Sequence, residues 1–244
     1  MKTKRIIALV AILMCTTAFA QTTRSEGSQS SSEKGWNSVY ASYNMLKYSK
    51  QMFGFNKAYN GLSIGYDRAF ILSSKLPLYM EIGGAVQYAG QYIKDYDWDD
   101  DNSKITANLL SVKVPVSVLY RWNIHGSKWS IVPKAGLDGR WNIVGVGKDM
   151  YDDEDWSYNV KRITDKYNMF KGENKSDGED EDADDGLYGS GAKCSRFQAG
   201  WHIGVNIEYN SLLFGIAYTT DINAFCRQFD AHFRTLAVTV GYRF

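Results

Sequence analysis

An alternation of apolar and polar residues with a period of two recurs along this chain and limits its fold more than any other feature. Because successive side chains of a β-strand point to opposite faces, this period predicts strands and argues against helices over the same segments. The clearest segment sets one apolar face against one mixed face: Leu110, Val112, Val114, Val116, Val118 and Tyr120 against Ser111, Lys113, Pro115, Ser117, Leu119 and Arg121.

Eight such segments indicate an all-β protein. They cover roughly residues 37–47, 58–69, 78–92, 106–121, 129–145, 195–209, 211–221 and 233–244. Most reach the roughly 9 to 11 residues that a tilted strand needs to cross a bilayer, and an even number suits closure. We therefore predict an eight-stranded antiparallel transmembrane β-barrel, up-and-down, with long external loops. A mean hydropathy of −0.36 does not oppose this prediction, because alternating strands average to a neutral value.

The composition of the two faces decides which one points outward, since a soluble eight-stranded barrel such as a lipocalin has its apolar face inside. The mixed face carries charged and titratable residues among glycine, serine and alanine, namely Glu81, Lys113, Lys134, Asp138, Arg140, His202 and Glu208. This set predicts a polar cluster in the lumen, where charges pair and small residues fit where space is short. The bulky face then meets lipid, and the narrow lumen is filled rather than open.

The N-terminus predicts export. Residues 1–20 read as a cleaved signal peptide, with basic residues before an apolar run and with Ala18 and Ala20 at the recognition positions. The apolar run is too short for a spanning helix, and Met14 is too large to precede a lipoprotein cysteine at Cys15. Residues 21–36 are polar and serine-rich, which predicts a flexible periplasmic leader, and residues 37–244 form the barrel.

The connections alternate between short and long. The links at 70–77, 122–128 and Tyr209-Asn210-Ser211 are short, whereas 93–105 and 146–194 are long. This pattern is typical of short periplasmic turns and longer external loops, with both termini in the periplasm. Residues 95–104 and 146–193 hold 19 of the 27 acidic residues, so 146–194 is predicted to be a long acidic external loop. No basic patch stands out, which argues against nucleic acid as a partner.

Three segments resemble the PorT-like outer-membrane β-barrel family: LSVKVPVSVLY at 110–120, GWHIGVNIEY at 200–209 and TVGYRF at 239–244. The resemblance extends over residues 37–244 and implies a barrel in the cell outer membrane. It further implies that Tyr242 and Phe244, on the lipid-facing register of the last strand, look like the signal read by the outer-membrane insertion machinery. A role in secretion does not follow from it.

Catalytic chemistry is not expected. The chain has three histidines, at 125, 202 and 232, and His202 shares a strand face with Glu208. Residues i and i+6 of a strand lie about 20 Å apart, too far for a hydrogen bond between them. No residue group meets the tests of a catalytic constellation, so we predict no enzyme and no cofactor.

Alternating aspartates occur in both acidic segments, at Asp95, Asp97, Asp99 and Asp101 and at Asp180, Asp182 and Asp184. Neither run matches the EF-hand loop, which needs glycine at position six and glutamate at position twelve. A solvated acidic surface or weak divalent-cation binding both fit these runs, and no metal ligand is predicted.

Two cysteines remain after signal removal, Cys194 and Cys226. Cys194 opens the sixth predicted strand and Cys226 follows the seventh, so both lie at the external end of neighbouring strands. In an oxidising compartment they can form a disulfide that closes a loop of about 30 residues, which the chain-entropy model values at roughly 3 to 4 kcal/mol. Free thiols and links to another chain are the alternatives.

Aromatic residues gather near the ends of the predicted strands. They are Trp36, Tyr48, Phe70, Tyr79, Tyr92, Trp122, Trp129 and Tyr209. Some are expected to form girdles at the headgroup level, although ordinary strand propensity also explains them.

Two function classes fit the sequence. One is a non-enzymatic structural or surface barrel whose external loops contact a partner. The other is an accessory subunit of an envelope transport or secretion system, which would bind another envelope protein. Lipid of the outer membrane surrounds the barrel in both.

Overall fold

The computed structural model describes residues 35–49, 58–73, 75–94, 104–154, 160–171 and 194–244. The strands are β1 (Asn37–Tyr48), β2 (Tyr59–Ile71), β3 (Leu78–Lys94), β4 (Lys104–Tyr120), β5 (Trp122–Asn123), β6 (Trp129–Glu154), β7 (Val160–Asn168), β8 (Phe197–Tyr209), β9 (Leu212–Asp221) and β10 (Phe233–Arg243). No helix in these ranges is long and apolar enough to cross a membrane. The predicted signal peptide and residues 21–34 of the predicted leader lie outside the described residues.

Eight of these strands close into one antiparallel barrel. The pairing order is β1, β2, β3, β4, β6, β8, β9 and β10, and β10 pairs back with β1. The closed up-and-down barrel predicted from the alternation is confirmed, with strand ends within a few residues of those expected except where β6 extends. We call the end at which Asn37 and Arg243 lie the termini end, and the end at which Tyr48 and Phe233 lie the long-loop end.

The predicted loop at 146–194 begins with regular structure, which corrects that expectation. β6 continues to Glu154 and pairs with β7, from Val146 opposite Asn168 to Glu154 opposite Val160. The many charged residues of this stretch, of both signs, leave no apolar alternation that would indicate the hairpin. β6 also remains paired with β4 as far as Met150, which lies opposite Lys104. The β4–β6 pairing therefore extends into the first part of the predicted loop. Residues 172–193 of the loop lie outside the described part of the chain.

The two faces of the barrel have the predicted composition. Outward side chains are apolar and exposed, with Leu62 65% and Ile64 66% exposed. Inward side chains are mostly polar and buried, and Glu208 is only 2% exposed. This is the reverse of a water-soluble barrel, in which the apolar face is inside.

A β-bulge interrupts the alternation in β6. Ser111 pairs with Asn142, while the preceding Leu110 pairs with Val144, so Ile143 is one extra residue in the strand. The bulge transfers the inward register from even to odd positions, and Asn142 and Gly145 are both buried. Gly145 and the residues after it therefore face the side opposite to the one that an unbroken strand would give.

Apolar clusters close both ends of the lumen. At the termini end, Trp36 packs with Ala69, Tyr79, Leu119 and Val132. At the long-loop end the cluster includes Tyr48, Tyr59, Phe170, Cys194, Phe225, Cys226 and Phe233. The lumen between the two clusters is where the polar residues collect.

Three of the eight aromatic residues near the strand ends are not girdle residues. Trp36, Tyr48 and Tyr79 are buried inside the barrel, because each lies on the inward register of its chain segment. Trp36 also belongs to the barrel and not to a flexible leader, since its carbonyl oxygen accepts a hydrogen bond from Ala69 N at 2.8 Å. The outward-facing members are Phe70, Tyr92, Trp122, Trp129 and Tyr209.

Candidate functional site

All seven residues proposed for the lumen lie inside the barrel. They are joined there by Asp67, Arg121, Asp221 and Arg243. The ion pairs among them involve four carboxylates, those of Glu81, Asp138, Glu208 and Asp221, and five cations, those of Lys113, Arg121, Lys134, Arg140 and Arg243. Asp67 supplies the fifth carboxylate, so the set contains five carboxyl groups and five basic groups.

A cluster around Glu208 fills the termini end. Glu208 Oε2 accepts from Arg121 Nε at 3.0 Å and lies 3.2 Å from Arg243 Nη1. Both guanidinium groups lie over the Trp36 ring, at 5.6 Å for Arg121 and 5.3 Å for Arg243. One buried carboxylate thus forms ion pairs with two arginines, whose guanidinium groups both lie over the Trp36 ring. We call these four residues the Glu208 cluster.

The middle of the lumen contains two acidic groups from neighbouring strands. Lys134 Nζ donates to Glu81 Oε1 at 3.1 Å. Asp67 is hydrogen-bonded by the Tyr40 side chain. Gly83 leaves the space that the Asp67 carboxylate occupies, because a Cβ at Gly83 would collide with it.

Three strands bring Ser117, His202 and Asp138 together. Ser117 Oγ lies 2.8 Å from His202 Nε2, and His202 Nδ1 lies 2.9 Å from Asp138 Oδ2. Lys113 Nζ is 4.0 Å from the other Asp138 oxygen. Ser117 and His202 sit on β4 and β8, on either side of Gly136 in β6. We call Ser117, His202, Asp138 and Lys113 the Asp138 chain.

Gly136 permits the contact across β6. A Cβ at this position would come within 2.7 Å of Ser117 Cα and 2.9 Å of His202 Cε1. Any side chain there would separate the hydroxyl from the imidazole. The structure does not bring His202 to Glu208, the partner considered in the sequence, because Glu208 belongs to the cluster at the termini end.

The Asp138 chain has the hydrogen-bond order of a serine nucleophile, a histidine base and an aspartate that orients the base. Ser117, however, is only 1% exposed. The nearby cavity of about 80 Å³ is lined by His202, Asp138 and Lys113, and Ser117 is not among its lining residues. The space suits a few water molecules, and a substrate carbonyl has no room at the Ser117 hydroxyl in this arrangement.

A layer that contains an arginine–aspartate ion pair closes the polar lumen below the long-loop end. Arg140 forms an ion pair with Asp221 and lies 5.0 Å over the Phe233 ring. Nearby, Ser111 Oγ donates to Asn142 Oδ1 at 2.7 Å and Asn142 donates to Gln198. This layer joins the charged interior to the apolar cluster above it.

Cys194 and Cys226 form a disulfide, with a Cα–Cα distance of 4.3 Å. Both are buried in the apolar cluster at the long-loop end. We expect neither cysteine of the mature protein to react with an alkylating reagent until a reductant is added. Mass spectrometry of material taken directly from the membrane measures this. Two alkylated cysteines without reduction would contradict the bridge.

The remaining candidates have ordinary surroundings. His125 lies in the exposed turn after β5, and His232 Nε2 lies 3.2 Å from Asp230 Oδ1. Among the residues that the structure describes, no group of three or more His, Cys, Asp or Glu side chains could hold a metal ion. Both runs of alternating aspartates lie outside those residues. Tyr242 and Phe244 face outward from the last strand and its end.

Sequence reasoning missed Asp67, Ser117, Arg121, Asp221 and Arg243 as members of the interior network. The alternation contained a usable signal for them. Arg121 lies an even number of residues from Lys113, and Arg243 an even number from Thr239, so each arginine falls on the polar face of its segment. Their pairing with Glu208 depends on neighbouring strands and has no local signature.

Three solved structures are among those to which the chain is similar. Ail of Yersinia pestis in complex with sucrose octasulfate is 12% identical, covers 86% of this chain and 99% of its own, and superposes with a TM-score of 0.42. Neisserial surface protein A is 10% identical over 85% and 97%, with a TM-score of 0.40. The outer membrane enzyme PagL is 10% identical over 83% and 98%, also with a TM-score of 0.40.

No curated protein matches the chain. The family model described as outer membrane protein beta-barrel domain matches residues 6–244. That match covers nearly the whole chain, including every strand of the barrel. The chain therefore belongs to the outer membrane protein beta-barrel domain family and is a transmembrane β-barrel of the outer membrane.

Proposed function

We propose that this protein is a non-enzymatic outer-membrane barrel that contacts a partner through its external loops. The observation that carries the proposal is the interior, where charges of both signs are paired between two apolar clusters. A lumen filled in this way leaves little space for solute passage. The long acidic connections at the long-loop end are then the part of the molecule available to a partner.

Within the family, the strand motifs at 110–120, 200–209 and 239–244 support a place among the PorT-like members. Tyr242 and Phe244 support recognition by the insertion machinery during assembly, since both face outward at the termini end. Neither inference requires an activity in the folded barrel.

The loop at 146–194 should face the outside of the cell. We expect a protease added to intact cells to cut within it and to leave the barrel strands whole, because lipid and closed pairing protect them. Sodium dodecyl sulfate electrophoresis with an antibody to the C-terminal strand measures the cut. Cleavage that occurs only after the outer membrane is permeabilised would reverse the orientation.

Loop replacement tests the function itself. Residues 172–193 are replaced by a short glycine-serine linker. Intact cells that produce either the parent or the replacement are then treated with a membrane-impermeant cross-linker. We expect a discrete cross-linked species with the parent, and its loss with the replacement although the barrel remains folded in the outer membrane. A stoichiometric envelope partner that co-purifies in mild detergent with both proteins would instead indicate an accessory subunit of a transport or secretion system.

The Asp138 chain favours a second candidate, a serine-dependent acyl transfer. In that case Ser117 is the nucleophile, His202 the base, and Asp138 the group that orients the imidazole. A fluorophosphonate probe applied to the folded barrel should then label the parent and not Ser117→Ala. On the non-enzymatic proposal neither protein is labelled, because Ser117 is enclosed.

A further inference from the structure

An outward groove lies at the long-loop end of β2, β3, β4 and β6, where lipid-facing side chains give way to polar ones. It has a volume of about 620 Å³, and the residues lining it include Asn60, Gly90, Tyr92, Thr106, Asn108 and Lys148. No carboxylate is among the described residues that line it. The groove is on the outside of the barrel and is separate from the charged lumen.

Strand register arranges the outward side chains of this region in rows across the strands. The row nearest the lipid consists of Tyr43, Leu62, Tyr88, Leu110 and Val144. The next row consists of Met45, Asn60, Gly90, Asn108 and Val146. The third consists of Tyr92, Thr106, Lys148 and Lys166. The surface thus changes from apolar to basic within two steps along the strands.

Two tyrosines of the first row orient the asparagines of the second. Tyr43 OH donates to Asn60 Oδ1 at 2.9 Å, and Tyr88 OH donates to Asn108 Oδ1 at 2.6 Å. Because each hydroxyl holds one amide oxygen, the orientation of both amides is fixed and their NH2 groups can donate to a ligand. Gly90 lies between the two asparagines, and a Cβ there would come within 3.1 Å of Asn108 Oδ1, so the glycine keeps the floor open.

The polar groups that face the groove are therefore mostly donors. They are the two asparagine amide nitrogens, the Gln91 amide, which carries both a donor and an acceptor, the Thr106 and Tyr92 hydroxyls and the Lys148 ammonium group. Lys166 lies beside Lys148 in the β6–β7 pairing. Donors without a carboxylate suit an anion, and a lysine is well suited to phosphate. The adjoining apolar row suits acyl chains.

We propose that this groove binds the phosphate of a lipid headgroup. Lys148 supplies the charge, Asn60 and Asn108 supply hydrogen bonds, and the acyl chains lie along Leu62 and Leu110. The proposal goes beyond the loop-mediated role, because it requires none of the external loops and would stand if that role were wrong.

Native mass spectrometry of the full mature protein in detergent micelles containing phosphatidic acid tests the site. We expect the parent to retain one lipid and Lys148→Gln to weaken its retention about tenfold, the loss associated with one charge-assisted hydrogen bond. Gly90→Leu, which fills the floor of the groove and keeps every charge, should weaken retention of the lipid similarly.

Arg234→Gln is the matched control, since Arg234 is an exposed cation on β10 outside the groove, and should leave retention unchanged. Heat-modifiable electrophoretic mobility verifies that each variant is folded.

Several outcomes would overturn the proposal. One is equal retention by the parent and by both folded groove variants. Equal weakening in Arg234→Gln would mean that general surface charge, and not the groove, holds the lipid. Retention of phosphatidylcholine as strong as that of phosphatidic acid would remove the need for an anionic headgroup. Displacement of the lipid by inorganic phosphate at a comparable concentration would assign the site to a free anion.

Discussion

Arginine at the centre of the lipid face should destabilise the barrel strongly. Val116→Arg and Val240→Arg are each expected to lower the free energy of unfolding in lipid vesicles by about 2 to 4 kcal/mol, the cost of a cation at the bilayer midplane. Val116 is 40% exposed and Val240 53% exposed. Val116 pairs with Ile82 and Leu137, and Val240 with Ala41 and Phe214.

The double variant makes this test sharper. β4 and β10 are not neighbours in the barrel, so the two costs should add to about 4 to 8 kcal/mol. Ile124→Arg, in the exposed turn at the termini end, is the control and should cost about 0 to 1 kcal/mol. If both single variants are as stable as Ile124→Arg, the assigned register is shifted by one residue, since such a shift exchanges the two faces.

Removing the carboxylate of the Glu208 cluster should lower the free energy of unfolding at least as much as either single arginine substitution. Glu208→Gln leaves two guanidinium groups facing a neutral amide inside the barrel, and loss of one partner from a buried ion pair costs about 3 to 5 kcal/mol. Denaturant unfolding in lipid vesicles, followed by tryptophan fluorescence, measures the change. Trp36 is one of seven tryptophans and contributes a signal from the site, because both arginines lie over its ring.

The control for Glu208→Gln removes one cation from the same cluster. Arg243→Gln keeps the 3.0 Å contact between Glu208 and Arg121 and leaves one charge of each sign, so it should cost clearly less. Equal losses for Glu208→Gln and Arg243→Gln would show that charge balance is not what stabilises this layer.

Alternation made most of the fold predictable, because the period of two is a local property of each strand. Val116 and Lys113 could be assigned to opposite faces without knowledge of any neighbouring strand. The extra residue at Ile143 could not be foreseen, since a bulge is defined by the partner strand. The β6–β7 hairpin was missed for a different reason, because its residues are too highly charged to show an apolar face.

Part of the membership of the candidate site was predictable from the sequence, and the contacts between its members were not. His202 was compared with Glu208 on its own strand, yet its partners Ser117 and Asp138 are 85 and 64 residues away in sequence. Their contact depends on the stagger between neighbouring strands, which cannot be read from the local pattern of a single sequence. Tyr79 is the opposite case, since its register with Glu81 already indicated an inward ring, and its position at a strand end was given too much weight.

The hairpin that rises from β6 gives the molecule two tiers of stability. Beyond Met150, where the pairing with β4 ends, β7 is the only described strand that pairs with β6, and an isolated two-stranded ribbon is marginally stable in water. Its amide hydrogens should therefore exchange by local opening, at a free energy far below that needed to unfold the barrel. Substitutions at its tip are then largely uncoupled from the free energy of the barrel. The surface presented to the surroundings can diversify in sequence while the part that holds it in the membrane stays constant.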